Sequence, residues 1–156
     1  MTSCPRFVHT LYCDDVRQEI GGKMTFVGAY QGQMLAEQPG ELMLPKLCIV
    51  LTAQTPHEQP FKKLHVKLYR DDEVLQEMDV PVGRELIANI ADGGPANFDV
   101  IGVIITLHGL KFEKSATLRV RVKTESEELS ALGFQVKLKS GESPESSTDG
   151  LVADGP

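Results

Sequence analysis

The chain contains no tryptophan, and Phe and Tyr together number nine in 156 residues. That scarcity removes the stacking platform on which single-stranded nucleic acids are usually bound. Cysteine is equally sparse. Cys4, Cys13 and Cys48 form an odd, scattered set with no Cys-x-x-Cys pair, which excludes a zinc ribbon and gives no disulfide framework. Reduced thiols in a cytoplasm are the simplest reading. Long apolar runs are missing too: none approaches the roughly 18 residues of a spanning helix. The opening MTSCPRFVHTLYCDD carries Arg6, His9 and Asp14 and reads as neither a signal peptide nor a membrane anchor.

Excess positive charge is absent as well. The net charge is −6, and Glu142, Glu145, Asp149 and Asp154 stand without a base after Ser140, so the remaining 139 residues carry 18 acids against 16 bases. Such a body has no large field to draw in phosphate backbones, and nucleic-acid binding is not expected. The signatures of chemistry are also lacking. No Gly-Lys-Ser/Thr follows a glycine-rich loop, no Gly-x-Ser-x-Gly elbow occurs, and His9, His57, His65 and His108 fall in no metal-ligand spacing. His9 and Cys13 would lie on one strand face about 13 Å apart, too far for a nucleophile pair. No cofactor is implied.

What is present is a two-residue rhythm. Leu64, Val66 and Leu68 alternate with His65, Lys67 and Tyr69; Leu118, Val120 and Val122 with Arg119, Arg121 and Lys123; Phe134, Val136 and Leu138 with Gln135, Lys137 and Lys139. Alternate side chains of a strand point to opposite faces, so each segment predicts one dry face and one wet face. Leu47–Thr52 and Val100–Leu107 are continuously apolar and rich in β-branched residues, as in central strands buried on both sides. Gly102 inside the second run suggests a bulge or close packing.

Turn residues separate these runs. Gly21-Gly22 and Asp71-Asp72 predict hairpins, and Pro39-Gly40, Thr55-Pro56 and Asp92-Gly93-Gly94-Pro95 predict loops. About nine or ten short strands result, and the fold class is all-β. The expected architecture is an antiparallel β-sandwich, immunoglobulin-like or C2-like, over residues 1–139. At most one short helix is expected: Ser126–Leu132 reads either as a helical turn capped by Ser126 or as a loop. Residues 140–156 are Ser, Gly, Pro and acid, and predict a disordered acidic tail.

Two sets of side chains stand out as candidate sites. Asp14, Asp15 and Glu19 could offer oxygen ligands to a hard cation, although the EF-hand spacing is absent and Asp14 and Asp15 would project to opposite faces. Arg17 and Lys23 are nearby counter-charges for an ion-pair network. Arg119, Arg121 and Lys123, with Arg17, offer a basic interaction surface, which without interleaved aromatics reads first as a solvated sheet face.

The opening Cys13-Asp14-Asp15-Val16-Arg17-Gln18-Glu19, followed by Gly21-Gly22-Lys23 and by Gly28-Ala29-Tyr30, is specific. With Leu44-Pro45-Lys46-Leu47 and Pro60–Leu64, it resembles an uncharacterised family of small proteins from bacteria and their phages. The resemblance covers about the first 70 residues. It implies a bacterial or phage origin and a small β-rich domain, and it brings no activity with it.

The expectation for function is therefore a non-enzymatic binding or structural module that meets a protein partner, or itself, through a sheet face or an edge strand. The alternative is a metal-dependent ligand binder or enzyme built on Asp14, Asp15 and Glu19.

Overall fold

The structure, a computed structural model, describes residues 5–82 and 98–140. Cys4, the loop expected at Asp92–Pro95 and the tail after Ser140 lie outside those residues. All regular elements described are strands: β1 (Phe7–Gln18), β2 (Met24–Ala29), β3 (Gln33–Pro39), β4 (Leu42–Pro56), β5 (Leu64–Arg70), β6 (Glu73–Val80), β7 (Phe98–Phe112), β8 (Ala116–Thr124), β9 (Glu128–Ser130) and β10 (Phe134–Lys139). They form two sheets. The first has the order β2-β1-β4-β7; the second runs β3-β10-β8-β5-β6, with β9 also paired to β8.

The two-residue rhythm sets which face is dry. Along β8, Leu118, Val120 and Val122 are buried while Arg119, Arg121 and Lys123 are exposed. They meet Val66 and Leu68 of β5, Phe134 and Val136 of β10, and Leu47, Ile49, Leu51 and Ile105 of the facing sheet in one interlayer core. Each such side chain contributes about 1.5–3 kcal/mol on leaving water. Tyr12 stacks on Phe134 with ring centroids 4.7 Å apart, tying the first sheet to the second.

The hairpins form where the turn residues stand. Gly21 and Gly22 take φ of 85° and 75° between β1 and β2, and Asp71 takes 51° between β5 and β6. These left-handed values suit Gly and, among other residues, Asp.

Several expectations are corrected. Ser126–Leu132 is neither helix nor plain loop, because Glu128–Ser130 adds to β8 as β9. The turn before it is organised by the Thr124 hydroxyl, which accepts the amides of Ser126 and Glu127. The pairing is not wholly antiparallel, since β3 runs parallel to β10. Gly102 makes no bulge; it sits opposite Thr52 in an unbroken ladder.

The most consequential correction concerns Val100–Leu107. Leu47–Leu51 of β4 is buried on both faces, as its composition predicts. Val100–Leu107 instead lies in β7, at the edge of the first sheet, with Gly102, Ile104 and Thr106 exposed.

Candidate functional site

The acidic set of β1 is drawn apart by its partners. The strand's alternation turns Asp14 and Asp15 to opposite faces. Asp14 accepts the Tyr30 hydroxyl at 2.5 Å. It also fills the space above Gly28, where an added Cβ would lie 2.1 Å from its Oδ2. Gly28 is thus favoured both by its left-handed φ of 65° and by the carboxylate packed over it. Burial first, and then the Asp14 carboxylate, push the Tyr30 phenol up to about 12. Asp15 accepts Lys46 Nζ at 2.5 Å and its neighbour's Val16 amide at 3.0 Å, with Arg17 Nε 3.6 Å away. The Lys46 contact, first of its causes, lowers the Asp15 carboxyl and raises the Lys46 ammonium. Glu19 accepts the Thr25 hydroxyl at 3.0 Å. Among the described residues no three His, Cys, Asp or Glu side chains converge as a metal-ligand group.

The basic stripe is placed as the alternation predicts, on the outer face of the second sheet, but it faces an acidic column. Lys123, His65 and Asp79 form one cross-strand row, and Arg121, Lys67 and Glu77 the next. His65 lies 2.7 Å from Asp79 and 3.3 Å from Glu77, and Lys67 lies 3.6 Å from Glu77. Arg121 reaches Glu128 at 3.8 Å and covers the Tyr69 ring. Arg119 stands opposite Tyr69. His65, Lys67 and Arg121 of this face are thus paired with acids, whereas Arg17 lies away from it on the first sheet.

The outer face of the first sheet differs in kind. Cys13 and Cys48 face each other across β1 and β4 as free, buried thiols beside Val50 and Leu11. Burial raises the Cys13 thiol, with Cys48 and the two aspartates adding to it, so it is a poor nucleophile. Val27, opposite Asp15, and Ile104, opposite Val50, are exposed near this cluster.

Beside that face runs the flank of β7, the residue set that sequence reasoning assigned to the interior. β7 is 15 residues long and pairs with β4 throughout its length. Among the described residues no strand lies on its other side. From Val100 to Leu110 it holds no Asp, Glu, Lys, Arg or Pro. The other three edges carry devices that discourage pairing. β6 has Glu73, Glu77 and Asp79 and a register shift opposite Leu68 and Tyr69. β3 has Glu37 and ends at Pro39. β2 is six residues long and bent by Gly28 at φ 65°. Between the β6 and β7 edges lies a largely apolar groove of about 400 Å³, lined by Met78, Val80, Pro81, Val100, Ile101 and Val103 together with Gly102 and Asp79.

One charged cluster, built around a buried arginine, had no signal in the sequence. Arg6 is 7% exposed in its side chain and reaches Glu125 at 2.6 Å, the Gln59 carbonyl at 2.9 Å and the Pro60 carbonyl at 3.0 Å, over the Phe61 ring. Its partners are up to 120 residues away along the chain, and only the closed sandwich brings them together. Burial opposes the charge on Glu125, but its own amide, that of Lys62 and the Arg6 guanidinium outweigh it and hold the carboxyl at about 2. His57 lies 2.5 Å from the largely buried Asp99, and His9 stands opposite Thr52 on the outer face. The Tyr12 hydroxyl is buried without a hydrogen-bond partner among the described residues, and burial raises it to about 12.

Residues 9–137 match DUF6941, a family of unknown function. No curated protein matches the chain.

Proposed function

Because the chain belongs to DUF6941, a family whose description carries no activity, its role has to be read from its own surface, and we propose that it is a non-enzymatic binding module that takes an extended strand of a protein along the flank of β7 that no described strand covers. One observation carries this reading: among the described residues, a strand with the composition of a sheet interior stands at a sheet edge. Unpaired backbone N–H and C=O groups recognise another extended backbone, and alternate apolar side chains add burial on both faces. The apolar groove beside β7 supplies a second surface for the incoming side chains. On the charged face of the second sheet His65, Lys67 and Arg121 already stand against acids, which favours a solvated surface. The alternative, cation or enzyme chemistry on Asp14, Asp15 and Glu19, gains no convergent geometry.

The test is a quantitative capture experiment from a bacterial lysate with three baits: the full chain, Ile104→Lys on β7, and Val74→Lys on β6. Ile104 and Val74 are both exposed, so neither change disturbs the core. A protein held by the full chain and by the β6 variant, but depleted about tenfold or more with Ile104→Lys, is the expected outcome. Equal retention by all three baits would remove β7 from the proposal.

A further inference from the structure

Resting on that reading of β7, we infer that the strand it receives is β7 of a second copy, paired antiparallel about a two-fold axis at Ile104. The segment Ile101-Gly102-Val103-Ile104-Ile105-Thr106-Leu107 has the same size and polarity pattern in both directions. Centred on Ile104, antiparallel pairing sets Ile101 against Leu107, Val103 against Ile105, Gly102 against Thr106 and Ile104 against itself. Residues opposite each other in such a pair lie on one face and touch. Every apolar residue of the seven therefore meets an apolar residue, and the two smaller residues meet each other.

The two faces agree with this register. Ile101, Val103, Ile105 and Leu107 belong to the interlayer core, yet only Ile105 is fully buried, because the edge leaves the others half-covered. A two-fold axis normal to the sheet keeps the second sheets of both copies on the same side, so these half-covered residues complete one another's burial. On the outer face the two Ile104 side chains meet at the axis.

Charge raises no obstacle along the seam. The nearest charged positions of β7 are Asp99 and Lys111, and Asp99 is turned onto His57. Opposite Asp99 the register places Gly109, which carries no side chain to oppose it. Size suits a weak pair. In this register 13 residues of β7, 98–110, face their copies, and at about 3.4 Å each in a layer about 10 Å thick they offer about 440 Å² per copy. The pair buries about 900 Å², the size of a weak, transient contact, which corresponds to a dimer in ready exchange with monomer. The result is an eight-stranded sheet continuous across both copies.

Sedimentation velocity of the full chain over a concentration series reads the association directly. The expected result is a monomer–dimer equilibrium that Ile104→Lys weakens about tenfold or more, because two introduced ammonium groups meet at the axis, and that added salt partly restores. In a Cys4→Ser background, Ile104→Cys with oxidised glutathione should give a covalent dimer. Thr106→Cys should not, since copies of position 106 would stand about 14 Å apart, four strand residues, in this register. A chain that stays monomeric at high micromolar concentration overturns the inference, as does a dimer indifferent to Ile104→Lys or linked through Thr106→Cys rather than Ile104→Cys. If the chain is monomeric while Ile104→Lys still strips a captured protein, self-pairing fails and the binding role of β7 stands. If neither measurement depends on Ile104, both fail.

Discussion

Gly28 and Asp14 show how a single residue pair can look functional and serve the fold. Asp14 stands in an acidic run that suggests a cation site, yet its carboxylate rests over Gly28 and holds the Tyr30 hydroxyl. Gly28 adopts φ 65°, a value that costs other L-residues about 1–2 kcal/mol. Gly28→Ala should therefore destabilise the protein by about 2–3 kcal/mol in urea unfolding, the backbone term plus the displaced hydrogen bond. In an Asp14→Ala background the same change should cost about 1 kcal/mol less. A cost that is identical in both backgrounds would show that the carboxylate plays no part. The sequence revealed the glycine and the acids but not their contact, because the β1–β2 register that joins Asp14 to Gly28 follows from the hairpin, not from residue type. The Lys46 partner of Asp15 was hidden for the same reason: it comes from β4, and nothing local marks it.

At the level of elements, strands with one wet face were the most legible. β5, β8 and β10 alternate so cleanly that their inward and outward residues could be assigned from period alone. Continuous apolar runs were legible as strands but not in position, since composition does not say whether a buried-looking strand has two neighbours or one. β4 has two and β7 has one. The segment 126–132 failed differently. Its acids and Ser126 suit a helix start, but the Thr124 hydroxyl, which also donates to the Glu127 carbonyl at 3.0 Å, closes a tight turn and returns the chain to β8. Thr124 is 3% exposed, and Thr124→Val keeps its shape while removing three hydrogen bonds. That variant should lose about 1–3 kcal/mol in chemical denaturation. A neutral result would mean that β9 is held by strand pairing alone.

Across the whole molecule, Arg6 is the clamp that joins the start of β1, the segment after β4 and the turn after β8. Arg6 is largely buried while Glu125 is exposed, so Arg6→Ala, which takes the donor from the Gln59 and Pro60 carbonyls, should lower the unfolding midpoint at neutral pH by the equivalent of about 1–3 kcal/mol. The pH dependence has a definite sign. The Glu125 carboxyl sits at about 2 in the folded protein against an ordinary 4.5. Its stabilisation is complete above the ordinary value and is lost as pH falls from about 4.5 towards 2, a loss that solvent screening of the exposed carboxylate holds to about 1 kcal/mol. Denaturation curves at neutral pH and near pH 3 should show that loss in the native chain, and a smaller one in Arg6→Lys, which keeps the charge but not the guanidinium fork.

The ladder between β4 and β7 has a consequence for how the protein is made. Residues 42–56 wait for residues 98–112 before their second neighbour exists, and pairings this distant form slowly. During translation the greasiest segment of the chain, Leu47–Leu51, leaves the ribosome long before the strand that shields its flank. The interval invites the wrong neighbour, from another nascent chain or a chaperone. Elongation speed between those two strands therefore helps decide how much of the newly made protein reaches its native state.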